Sequence, residues 1–134
     1  QVLFDSASAI LREDAEPILG YVAELLAGQQ GISIEVRGHT DDRPLSSSSL
    51  YRDNYDLSYG RAKSVTAAIS RAGQLPMSAF EIVALGPTDP IADNATEEGR
   101  ARNRRVELYI RADDPENTLE DLRGRIEEAE PTQQ

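Results

Sequence analysis

Two side chains of opposite charge stand where a chain of alternating strands and helices gathers its ligands. Asp41 closely follows the alternating stretch Ile32, Ile34 and Val36, and Arg61 lies about two turns into the next helical segment. Strand ends and the first turns of the following helix meet at one edge of such a layer, so the two side chains are expected to share a pocket mouth. A carboxylate accepts from an ammonium, and a guanidinium grips a carboxylate through two parallel N–H bonds; together they read the head group of an amino acid. Exposed N–H groups at the start of the helix favour the same ligand carboxylate. The alternative is a structural ion pair between Asp41 and Arg61. On charge alone it is the plainer reading, because most neighbouring acids and bases are structural.

Other constellations carry less chemistry. His39, Asp41 and Ser58 have the residue types of a nucleophilic triad, but nothing resembles a strained nucleophile elbow or an oxyanion donor pair. His39, Asp41, Asp42 and Asp56 have metal-ligating types in loose spacing, without a recognised ligand pattern. No catalytic residue, metal or cofactor is assigned, and His39 is read as a hydrogen-bonding residue at a strand end. Arg100, Arg102, Arg104 and Arg105 form a basic cluster, open either to an anionic partner or to internal salt bridges. Gly60 in mid-helix costs roughly 1 kcal/mol against Ala, and tight helix–sheet packing is the expected reason.

The elements that position these residues follow from periodicity. Leu11, Ala15, Ile18, Val22 and Leu25 form one helical stripe, with Asp14 as its expected cap and Pro17 in the first turn. Ile32, Ile34 and Val36 alternate with polar residues as a strand does when one face is buried. A polar loop over 43–53 leads to a helix starting near Asn54 or Asp56, whose apolar face is Leu57, Ala62, Val65, Ile69 and Ala72 and whose stop is Gly73. Val2-Leu3-Phe4, Phe80 with Ile82 and Ala84, and Val106 with Leu108 and Ile110 read as further strands, with one helical turn over 97–101. The expected fold class is α/β (α+β): a two-layer sandwich of a mixed four-stranded sheet with helices on one face. Domain 1–112 is expected to be followed by a tail, 113–134, in which Thr118 with Asp121 resembles a capping box and Leu119, Leu122 and Ile126 make the apolar seam of an expected amphipathic helix.

At 134 residues the chain is long enough for one core, and with 39% hydrophobic and 28% charged residues it has a globular profile. A formal charge of −10 argues against a nucleic-acid partner, since phosphate repels such a surface. No cysteine is present, so disulfides, thiolate nucleophiles and sulfur metal sites are excluded. No apolar run reaches membrane-span length, and Gln1 opens directly on a strand-like stretch, as expected of a fragment whose upstream targeting segment has been removed.

Phe4-Asp5-Ser6, Gly38-His39-Thr40-Asp41, Asn54 with Leu57-Ser58, Arg61-Ala62, and Asn103-Arg104-Arg105-Val106 occur in an order and spacing that resembles the OmpA-like peptidoglycan-binding family. The likeness runs from Val2 to Ile110. It implies that Asp41 and Arg61 hold the diaminopimelate of a peptidoglycan stem peptide, that Thr40, Asn54, Leu57 and Ser58 line the pocket, and that Arg104 or Arg105 contacts or supports the peptide. The long loop before Asn54, with Pro44, and the 94–105 stretch look most like the MotB-type, flagellar-stator branch of that family. Family members often carry Gly where Ala7 stands and Asn where Asp42 stands.

The resemblance implies a non-catalytic periplasmic anchor, homodimeric, attached to a membrane through a segment upstream and binding peptidoglycan. Porins and Pal-type lipoproteins tether the wall with the same domain and are the alternative; a cell-wall hydrolase built on His39 is the reading from another class.

Overall fold

Strand β1 (Ile32–His39) is the centre of the sheet, flanked by β2 (Phe80–Gly86), which runs parallel to it, and β3 (Val106–Ala112), which runs antiparallel. The computed structural model describes residues 3, 4, 7–29 and 31–112, and among these the sheet is mixed, as expected, but has three strands rather than four. The segment expected to supply another strand makes one isolated bridge, Phe4 to Leu11, and Arg12 N–H donates to the Leu3 carbonyl at 2.9 Å. It pairs with itself instead of the sheet, reversing near Ala7, which takes a left-handed φ of 58°. Asp5 and Ser6 of the family-like motif, and the expected tail helix, lie outside the described residues.

A parallel pair cannot be joined by a hairpin, and the crossover between β1 and β2 is helix α2 (Asn54–Gly73). The helix begins as a short polar side chain dictates: the Asp53 carboxylate accepts from Asp56 N–H at 2.8 Å. It passes through Gly73, the expected stop, and ends on Gln74, whose left-handed φ of 53° lets Leu75 N–H reach the Ser70 carbonyl at 3.0 Å.

Helix α1 (Glu16–Ala27) follows a 3-10 turn over Glu13–Ala15. Pro17 sits in its first turn, but Asp14 does not cap it; that carboxylate pairs with Arg12 at 3.2 Å. The buried stripe is Leu19, Val22, Ala23 and Leu26, rotated by about one residue from the expected one and leaving Ile18 and Leu25 at its margin. The rotation comes from the partner, since α1 packs on α2 rather than squarely on the sheet.

The core is a single cluster in which those α1 residues meet Ala62, Val65 and Ile69 of α2, Ile34 and Val36 of β1, Ile110 of β3, and Phe4. Alternation puts Ser33, Glu35 and Arg37 on the other sheet face. There Arg37 pairs with Glu35 and lies 4.1 Å above the Tyr109 ring, so charge and aromatic surface cover the face opposite α1 and α2.

Helix α2 lies close against the sheet at Gly38, where a Cβ would overlap the Ser58 carbonyl oxygen and stand 3.3 Å from Ala62 Cβ. Gly60 faces elsewhere: its side meets Ala9 and the Tyr51 ring, so its expected role in helix–sheet packing passes to Gly38. Gly38→Ala is expected to lower the unfolding free energy by about 1–3 kcal/mol, the usual cost of overpacking. Chemical denaturation checks it, and an unchanged midpoint would contradict the close approach.

Candidate functional site

The end of β1 is gripped from both sides. His39 N–H donates to the Arg105 carbonyl at 2.9 Å and Thr40 N–H to the Gly86 carbonyl at 2.9 Å, so the chain leaves the sheet on a fixed course. The Thr40 hydroxyl donates to the Asp41 carbonyl at 2.8 Å. One oxygen of the Asp41 carboxylate accepts from Arg43 N–H at 3.0 Å, and the other from Arg104 Nη1 at 2.9 Å. Among the described residues, therefore, the ion-pair partner of Asp41 is Arg104 and not Arg61.

Arg61 projects from the second turn of α2 and is 1% exposed. Its Nε donates to the Ser8 carbonyl at 3.0 Å and its Nη1 to the His39 carbonyl at 3.4 Å, while Phe4 lies with its ring centre 5.5 Å from the guanidinium carbon. Burial pulls its pKa down to about 10; the charge of Arg104 acts in the same direction and that of Asp41 opposes it. It still carries its proton at neutral pH. Asp41, Arg61 and Arg104 thus lie within electrostatic reach of one another.

The other expected site residues divide. Asn54 donates through Nδ2 to the Arg43 carbonyl at 2.9 Å, tying the first turn of α2 to the loop beside Asp41. The Ser58 hydroxyl donates to the Tyr55 carbonyl at 2.9 Å and accepts from Gly86 N–H at 3.0 Å, so it is a buried brace between α2 and the end of β2. Leu57 is buried beside it in sequence. Arg105 turns the other way: it donates to Glu107 at 2.8 Å and to the Asp89 carbonyl at 3.0 Å. Glu107 also takes His39 Nε2 at 3.0 Å and the Tyr109 hydroxyl at 3.2 Å. His39 and Ser58 are therefore engaged with different neighbours, in a geometry that is not a triad. No three metal-ligating side chains come together among the described residues.

Two residues essential to this arrangement had no role in the sequence reading. Glu97 accepts from Arg104 Nη2 at 2.7 Å. Helix α3 (Glu97–Asn103), longer than the single turn expected, begins at Glu97 and has Arg104 as the residue that follows its end, seven positions or about two turns on, and that spacing is the available signal. Asn103, fully buried, accepts from Ile91 N–H at 2.8 Å and Ala92 N–H at 3.0 Å and donates to the Ala92 carbonyl at 3.0 Å and to Asn94 Oδ1 at 2.8 Å. It fastens the preceding loop and fixes where Arg104 starts.

The sequence profile of the OmpA family matches residues 3–104. The chain belongs to the OmpA family. Motility protein B of Bacillus subtilis is 33% identical over 109 residues, 81% of this chain and 41% of that protein. This OmpA-family domain thus spans less than half the length of that curated relative. The C-terminal domain of Helicobacter pylori MotB superposes with a TM-score of 0.77 at 27% identity, covering 95% of this chain and 94% of that one. The cell wall anchor of the T6SS from Pseudomonas aeruginosa gives a TM-score of 0.68 at 37% identity over 79% of this chain and 72% of that one. No helix among the described residues is long and apolar enough to cross a membrane.

Two outcomes follow for the OmpA-family fold. Asn103→Ala is expected to cost about 1–3 kcal/mol, as for any buried polar group losing its partner, and to speed hydrogen exchange at the Ile91 and Ala92 amides; unchanged exchange there would remove Asn103 from its role. Burial, aided by Arg105, pulls His39 below its ordinary 6.5 against Glu107 and Asp89. A base with a depressed folded pKa contributes stability that is full above its unfolded value and lost as the pH falls. The unfolding free energy should therefore drop as the pH is lowered from 7 through 6, and His39→Gln should flatten that slope; a slope identical in both proteins would be the contrary result.

Proposed function

We propose that this chain is a non-catalytic, periplasmic peptidoglycan-binding domain that holds the diaminopimelate of a stem peptide between Asp41 and Arg61 and so anchors a membrane complex to the cell wall. The observation that carries the reading is a pair of buried opposite charges, each oriented by groups other than its counterpart. Asp41 is set by Arg43 and Arg104, and Arg61 by the Ser8 and His39 carbonyls. A dipolar amino-acid head group presents its ammonium to the first and its carboxylate to the second. Thr40, Asn54, Leu57 and Ser58 support the pocket walls and Arg104 flanks it, whereas Arg105, expected beside it, is turned away onto Glu107 and the Asp89 carbonyl. With Arg61 only 1% exposed, its guanidinium has to be uncovered for a ligand carboxylate to reach it.

Relatives described as motility protein B and as a cell wall anchor support an envelope role, and the MotB-like pattern favours a flagellar-type stator as the anchored complex. Homodimerisation and attachment of the whole protein to a membrane belong to the same proposal; two linked sites on one polymer raise apparent affinity.

Co-sedimentation with purified sacculi tests the reading. Asp41→Ala is expected to weaken binding by about 2–5 kcal/mol, the range for removing one partner of a desolvated charge pair. Arg61→Lys, which keeps the charge and loses the planar fork, should weaken it too. Arg61→Ala is the poorer probe, because it strips the Ser8 and His39 carbonyls of their donor and lowers stability directly. Full binding by Asp41→Ala and Arg61→Lys would reject the site, and release of soluble muropeptides would indicate an enzyme.

A further inference from the structure

We propose that Arg104 is a built-in competitor for the cation position at Asp41, and that Glu97 is the anion onto which it retreats when a ligand ammonium binds. This rests on the peptide-binding reading above and adds a residue that sets affinity and selectivity. One guanidinium spans two carboxylates, with Nη1 on Asp41 at 2.9 Å and Nη2 on Glu97 at 2.7 Å. The two acceptors differ in surroundings: the Asp41 side chain is 9% exposed and that of Glu97 63%. An internal cation therefore already sits at the buried carboxylate, tethered to a second carboxylate at the surface.

The exchange is cheap for three reasons. Asp41 keeps its orientation without Arg104, because Arg43 N–H holds its other oxygen. Arg104 keeps a charge-assisted bond to Glu97, so one of its two ion contacts is lost rather than both. Glu97 is itself held in place, since its other oxygen accepts from Arg100 Nε at 3.3 Å, and α3 is capped by the Thr96 hydroxyl, which accepts from Gly99 N–H at 3.0 Å. With Asn103 anchoring the neighbouring backbone, the moving part reduces to one side chain.

A ligand ammonium carries the same charge as the Arg104 guanidinium and can replace its Nη1 contact at Asp41. A ligand with a carboxylate and no ammonium cannot displace Arg104, so the competitor favours dipolar head groups over simple acids.

Titration calorimetry of the intact chain with a muramyl tripeptide ending in meso-diaminopimelate provides the test, with thermal melts to confirm folding of each variant. Arg104→Gln is expected to bind about fivefold more tightly, the scale of losing one partly exposed ion pair that the ligand otherwise has to break. Glu97→Gln should bind more weakly by a similar factor, and this loss should vanish in the Arg104→Gln background, as a double-mutant cycle reads it. Weaker binding by Arg104→Gln would overturn the proposal and make Arg104 a positioning residue. An equal loss from Glu97→Gln in both backgrounds would overturn it too, in favour of a through-space charge effect. Undiminished binding by Asp41→Ala would instead overturn the peptide-binding reading beneath it.

Discussion

A guanidinium cannot be taken out of water unless acceptors wait for it, and the burial of Arg61 organises the end of the sheet. Its acceptors include two main-chain carbonyls of described residues, one at the end of β1 and one in the amino-terminal segment, so a single side chain joins α2, β1 and that segment. Each of these must therefore be placed to within hydrogen-bond tolerance before the site exists. Gly38 makes that placement possible by letting α2 settle onto β1, and Ser58 locks it from the β2 side by bonding Gly86.

Polar order spreads outward from this point along two separate networks. One runs through Asp41, Arg104 and Glu97 on the side of the pocket, and the other through His39, Glu107, Arg105 and Tyr109 on the sheet face opposite α1 and α2. They are separated by a single step in sequence, because Arg104 and Arg105 diverge to opposite sides as the chain enters β3. Asn103 enforces the divergence: by bonding the 91–94 loop four times, it fixes the backbone from which both arginines depart.

Much of this was legible in the sequence, for identifiable reasons. The alternation of Ile32, Ile34 and Val36 and the apolar face from Leu57 to Ile69 are strong periodic signals, and both elements form where expected. Helix α3 was read as one turn because its residues, EEGRARN, have no apolar stripe; a cap and a buried amide hold it instead. The amino-terminal strand does not join the sheet: Phe4 serves the core, and among the described residues its backbone pairs at one bridge, to Leu11. For the site, the side chains of Asp41 and Arg61 were visible and their partners were not. Carbonyl groups of Ser8 and His39 belong to every residue type, and no composition marks them. The choice between Arg104 and Arg105 depends on a backbone turn of the same kind.

The reversal at Ala7 has a consequence for the buried arginine. An L-residue held at φ 58° stores roughly 1–2 kcal/mol that glycine would not, because its Cβ crowds the following carbonyl. The residue after it supplies the carbonyl bonded to Arg61. That strained turn persists because its surroundings hold it, and the bond tying the Ser8 carbonyl to the buried guanidinium is one of the contacts that do so.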